Sequence, residues 1–107
     1  MRVISRSTLR DFWMRPGCED AEQPLLAWFR EVGRVTWKTP ADIKQSFRSA
    51  DVVGGGRVVF NVGGNKYRLV AWVNYSLALV LVKWVGTHAE YDRIDVTDVG
   101  LPRRSGR

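Results

Sequence analysis

Apolar residues recur along this chain at two spacings, and the change from one to the other divides it near its middle. Leu25, Trp28, Phe29 and Val32 stand at i, i+3, i+4 and i+7, the stripe of a helix with one face on a core. That helix is expected to begin near Glu19 or Asp20, since Pro24 is tolerated only within the first turn or so, and to end at Gly33. Ahead of it, Val3 and Ile4 between Arg2 and Arg6 suggest a short strand. Ser7 is placed to cap a first helix running to about Arg15, stopped by Pro16-Gly17. Thr39-Pro40-Ala41-Asp42 sets a capping hydroxyl, a proline at the first helical position and an acid in the first turn, which predicts a third helix to about Phe47.

Beyond the flexible connector Gly54-Gly55-Gly56, strand spacing takes over. Predicted strands cover Arg57–Val62, Lys66–Val73 and Leu77–Gly86, with hairpin turns at Gly63-Gly64-Asn65 and Asn74-Tyr75-Ser76. Side chains alternate across a sheet, so Tyr67, Leu69, Ala71 and Val73 share a core face, as do Val58, Phe60 and Val62. Arg57, Asn61, Lys66 and Arg68 then collect on the opposite, open side, together with Val70 and Trp72. The last strand is apolar at both parities except for Lys83, the pattern of a central strand with one conspicuous charge. The expected class is α+β: an antiparallel sheet flanked by N-terminal helices, with a short C-terminal helix.

Length and composition narrow the picture. With 107 residues there is room for one core; it is expected over residues 1–96, and a polar basic tail carrying Arg103, Arg104 and Arg107 follows over 97–107. Lysine and arginine number 17 against 11 acids, a net charge of +6 that suits a partner made of phosphates. One cysteine, Cys18, and one histidine allow neither an internal disulfide nor a zinc-finger ligand set, so no metal or cofactor is expected and a reducing cytoplasm fits. The longest apolar run, Leu77 to Val82, falls far short of the roughly 18 residues of a membrane helix, and no membrane association is expected.

Candidate chemistry gathers behind the last strand. Thr87-His88-Ala89-Glu90 reads as a capping box opening a final short helix, which explains Glu90 structurally. His88, Tyr91 and Asp92 stand at i, i+3 and i+4, on one face of that turn, where Asp92 is placed to orient the imidazole of a general acid or base. Arg68 is a candidate phosphate ligand. Arg57, Asn61, Asn65, Lys66 and Lys83 are candidate contacts for the same phosphate-bearing partner, and Trp72 on the open face is placed to stack a base. Each has a plainer reading: His88 as a surface residue, Tyr91 as packing, Lys66 and Arg68 as a solvated strand face, Asn61 and Asn65 as turn residues. No other catalytic pattern survives, because Cys18 and His88 lie far apart and the triple glycine lacks the Lys-Ser/Thr of a phosphate loop.

Phe60-Asn61-Val62-Gly63-Gly64-Asn65-Lys66-Tyr67-Arg68-Leu69-Val70, followed by Gly86-Thr87-His88-Ala89-Glu90-Tyr91-Asp92, resembles the signature of HigB-type toxins within the RelE-like group. Trp37 and Pro40-Ala41-Asp42-Ile43-Lys44 are similar to that family too, so the resemblance covers about residues 2–95. It implies a RelE-like fold and a metal-independent endoribonuclease that cuts messenger RNA, many relatives doing so on the translating ribosome, under the control of a HigA-like helix-turn-helix antitoxin. It also implies Arg68 on the phosphate, His88 as acid or base, and Tyr91 with Asp92 assisting. Which group is the base stays open. The competing class is a non-catalytic RNA- or ribosome-binding module using the same basic face.

Overall fold

The computed structural model describes residues 1–99; of the tail expected over 97–107, positions 100–107 lie outside the described residues. In chain order the elements are β1 (Arg2–Ile4), α1 (Arg6–Trp13), α2 (Glu22–Arg34), α3 (Pro40–Ser46), β2 (Asp51–Val52), β3 (Arg57–Val62), β4 (Tyr67–Asn74), β5 (Leu79–Thr87) and α4 (His88–Tyr91). The α+β architecture is the one expected. The strands form one sheet in the order β1-β5-β4-β3-β2. β2 to β5 are antiparallel, and β1 joins β5 in parallel, so the sheet is mixed.

The helical stripe does its predicted work: Leu25, Trp28 and Val32 are buried against the sheet. Phe60 sits at the middle of an aromatic cluster, stacked on Trp37 and approached edge-on by Trp28 and Phe47 at 5.4 and 5.2 Å. Such pairs add about 0.5–1.5 kcal/mol each beyond the area they bury. The third helix starts as its sequence dictates, with a complete capping box between Thr39 and Asp42 and proline in the first turn.

Local signals misplaced several boundaries. α1 is capped by Ser5, not Ser7, and Ser5 takes a left-handed conformation (φ 73°) with no side-chain capping bond, because the chain turns out of β1 within one residue. A short 3-10 turn, Glu19–Ala21, precedes α2, and that helix runs through Gly33 to stop where Val35 becomes extended. The triple glycine is no loose connector: it closes a hairpin between β2 and β3, with Gly55 and Gly56 at positive φ. β5 begins at Leu79, because Asn74 ends β4 and accepts from the Leu77 amide, and a four-residue turn follows it with Ala78 at φ 54°.

One irregularity decides where the chemistry faces. Val70 pairs with Trp84 but Ala71 pairs with Val82, so β5 carries one extra residue, Lys83, opposite the Val70–Ala71 bond. This bulge resets the alternation. Val80, Val82 and Val85 face the helices, while Leu79, Leu81 and Trp84 pair with residues of the other face. Lys83 borders a surface cavity with Trp72 and Leu81, which puts it on that second face as well.

Candidate active site

α4 is a single turn, so its position depends on its anchors. Thr87 accepts from the Glu90 amide, and the Glu90 carboxylate accepts from the Thr87 amide, the reciprocal box expected from the sequence. The His88 amide donates to the Lys66 carbonyl at 3.2 Å, tying the helix start to the β3–β4 turn. From the far side, the Arg15 guanidinium grips both Glu90 oxygens at 3.0 and 3.3 Å. That grip and the Thr87 amide hold the Glu90 carboxyl below the usual carboxylate range and push Arg15 upward. Nothing in the sequence neighbourhood of Glu90 points to Arg15, 75 positions away.

On this turn, His88 Nδ1 stands 3.7 Å from Asp92 Oδ2, with side-chain exposures of 49% and 66%. The separation is longer than a hydrogen bond, so the pair is preorganised but not closed. Tyr91 lies under the guanidinium of Arg68, whose central carbon is 5.1 Å from the ring centroid. Arg68 Nε is buried with no hydrogen-bond partner among the described residues, and none is found there for the buried Oδ1 of Asn61, the register partner of Arg68 on β3. A guanidinium held over an aromatic ring, with no carboxylate partner among the described residues, suits an incoming phosphate. The structure therefore brings Arg68, Asn61, Tyr91, His88 and Asp92 to one end of the sheet.

The remaining candidates lie elsewhere. Arg57 is 4% exposed: its guanidinium donates to the carbonyls of Val96 and Val99 and is spent on fixing the segment after α4. That segment is ordered around Asp95, whose carboxylate accepts from the amide and hydroxyl of Thr97 and is lowered by those bonds. The face expected to be open is thus partly covered, and Val59 and Val70 upon it are buried. Parity also misplaced Lys66. It belongs to the turn before β4 and reaches the Asp20 carboxylate, which also accepts from the Tyr67 hydroxyl. Lys66 first and Tyr67 second hold Asp20 below its usual value, while Asp20 raises both of them. Asn65 is exposed in the same turn. Lys83 lines its cavity of about 370 Å³ beside Trp72, Leu81, Arg57 and Thr97, so Trp72 faces a recess, not a flat surface.

Among the described residues no three of histidine, cysteine, aspartate and glutamate come together as a metal-ligand group, and no helix is long and apolar enough to cross a membrane.

Comparison with known proteins places this geometry in context. Residues 21–94 match the family model described as HigB_toxin, the RelE-like toxic component of a toxin–antitoxin system. The chain is 32% identical over 94 residues to the mRNA interferase toxin HigB of Escherichia coli K12, covering 86% of this chain and 88% of that protein. It is 29% identical over 72 residues to the mRNA interferase HigB of Escherichia coli O6:H1, covering 65% and 70%. The mRNA interferase HigB of Shigella flexneri is 32% identical over 94 residues, with the same coverage as the K12 protein.

Proposed function

This chain belongs to the HigB family of RelE-like toxins, and from that premise we propose that it is an mRNA interferase: an endoribonuclease that cuts messenger RNA, held in check by an antitoxin. The reaction is attack of the RNA 2′-OH on the adjacent phosphate, without a metal, leaving 2′,3′-cyclic or 3′-phosphate ends. Arg68 holds the phosphate and spreads the charge of the phosphorane. His88 moves the proton, Asp92 orients the ring and supports its charged form, and Tyr91 shelves the guanidinium and assists. The observation that carries this reading is the Arg68 guanidinium over Tyr91, without a carboxylate partner among the described residues, beside a turn that presents His88 and Asp92 together.

Magnitudes favour a composite site. A positioned acid or base supplies about 10²–10⁴-fold and a preorganised charge donor about 10²–10³-fold, so neither alone makes an effective nuclease. Positioning of the message by the ribosome supplies part of the rest, since orientation is worth several kcal/mol. The antitoxin is a HigA-like helix-turn-helix protein, and the site of action is the cytoplasm. Messenger cleavage in a translating extract tests the reading: wild-type protein cuts and His88→Ala does not. RNA retained but left intact by the wild type would point to a non-catalytic binder. Co-expression of the neighbouring helix-turn-helix protein should abolish growth arrest and give a complex on size exclusion; unchanged toxicity with no complex would sink the antitoxin assignment.

A further inference from the structure

Trp84 has no part in the chemistry above, yet its position is built with care. The bulge at Lys83 puts Trp84 on the face of Arg68, opposite Val70 and away from the helix-facing core of its neighbour Val85. The six-membered ring of its indole lies against Gly86, the residue directly across the sheet from Arg68. A Cβ on Gly86 would stand 2.3 and 2.4 Å from Cη2 and Cζ2 of the ring, so any other residue there forces the indole to shift. Gly86 lies outside the left-handed region, so its backbone does not demand glycine. A glycine inside a strand weakens it, and here it leaves room to seat a half-buried tryptophan. The edge of the seat is closed by Tyr91, its ring centroid 6.2 Å from the indole and tilted by 52°. Arg68, Tyr91 and Trp84 thus form a continuous cation–aromatic–aromatic row.

We propose that Trp84, seated on Gly86, is the stacking platform for one nucleobase of the bound RNA, next to the phosphate held by Arg68. An indole offers a flat apolar face that any base can cover, whereas the backbone beside it is held by charge; the two contacts together fix a nucleotide at both ends. Register partners in a sheet lie about 5 Å apart, so the base of a nucleotide whose phosphate is at Arg68 reaches the ring above Gly86. The platform makes Trp84 a determinant of where along a message the protein cuts. This inference rests on the RNA-cutting reading.

The test uses a short 2′-fluoro RNA, which lacks the attacking hydroxyl and stays uncut, with one base at a time removed along its length. Binding is read by fluorescence anisotropy. For the wild type, loss of one particular base should weaken binding about tenfold, the size of one base–aromatic stack. That penalty should fall to near onefold in Trp84→Leu and in Gly86→Ala, and persist in Trp84→Phe. In a translating extract the map of cleavage sites should change in Trp84→Leu and be kept in Trp84→Phe. If Gly86→Ala fails to fold, the two Trp84 variants carry the comparison. The same base-removal profile and the same cleavage map in wild type and Trp84→Leu overturn the platform while leaving the nuclease reading intact. A wild type that neither binds nor cuts RNA overturns both.

Discussion

The guanidinium of Arg68 lies 5.1 Å above the ring of Tyr91, and the two residues come from elements that the sequence separates by a turn and a whole strand. The ring shelters one face of a cation that has no acidic partner among the described residues, which leaves its donors for a phosphate. Arg68→Ala is expected to slow messenger cleavage by about 10²-fold or more, in line with loss of one preorganised charge donor. Arg68→Lys should recover little, since an ammonium offers neither the bidentate fork nor the stack. Lys66→Ala should cost less, because Lys66 is already engaged by Asp20. Equal, mild losses in the Arg68 and Lys66 variants, read in an extract cleavage assay, would remove Arg68 from the phosphate.

His88→Ala should lower the cleavage rate by about 10²-fold or more if the imidazole carries the proton. Asp92→Asn should cost less, because the 3.7 Å separation makes it an orienting neighbour and not a bonded partner. Product ends should be 2′,3′-cyclic or 3′-phosphate, and cleavage should survive chelation in a ribosome-free assay. A free 3′-OH end would move the chemistry away from 2′-OH attack.

Acid should loosen α4 through Glu90. Its carboxyl is lowered from 4.5 in the fold, chiefly by Arg15, so the ionised form is favoured there. The stabilisation is present above pH 4.5 and is lost as pH falls through the lowered folded value. Both side chains are over two-fifths exposed, so it amounts to at most about 1 kcal/mol. Glu90→Gln keeps the capping box and loses the charge. The stability gap between it and the wild type, from urea melts at several pH values, should be open at pH 7 and closed near pH 2; a gap independent of pH would refute the linkage.

Arg57 should matter to the fold and not to phosphate binding. Truncation to alanine removes charged hydrogen bonds to the Val96 and Val99 carbonyls, a loss of about 1.5–3 kcal/mol. Amide exchange at Thr97 to Val99 should accelerate in Arg57→Ala. Unchanged exchange there, with weakened RNA binding, would return Arg57 to the interface.

Filling the aromatic cluster is Phe60's task, and Phe60→Ala should cost about 3–5 kcal/mol by opening a cavity among Trp28, Trp37 and Phe47. A thermal melt with the wild-type midpoint would show that the cluster collapses around the gap.

What the sequence determined by itself is what depends on neighbours within a few positions. The helical stripe of Leu25, Trp28 and Val32, the capping boxes at Thr39 and Thr87, and the shared face of His88, Tyr91 and Asp92 are all set by local periodicity and cap chemistry. The motifs around Arg68 and His88 also carried the family. Tertiary structure decided everything that depends on register or on a distant partner. Counting parity from the strand residues put Arg57, Asn61, Lys66 and Arg68 on one open face. Only the chain that returns after α4 shows that Arg57 is roofed over, and only the 3-10 turn before α2 supplies the Asp20 that draws Lys66 away. Lys83 interrupts the apolar run of β5, but because that strand is apolar on both faces its pattern does not show that Lys83 is an added residue. The effect of the bulge is to swing Trp84 beside Arg68 and Tyr91. A one-residue slip reverses every side chain beyond it, so the face that meets the ligand is fixed by cross-strand pairing and not by the strand's own sequence.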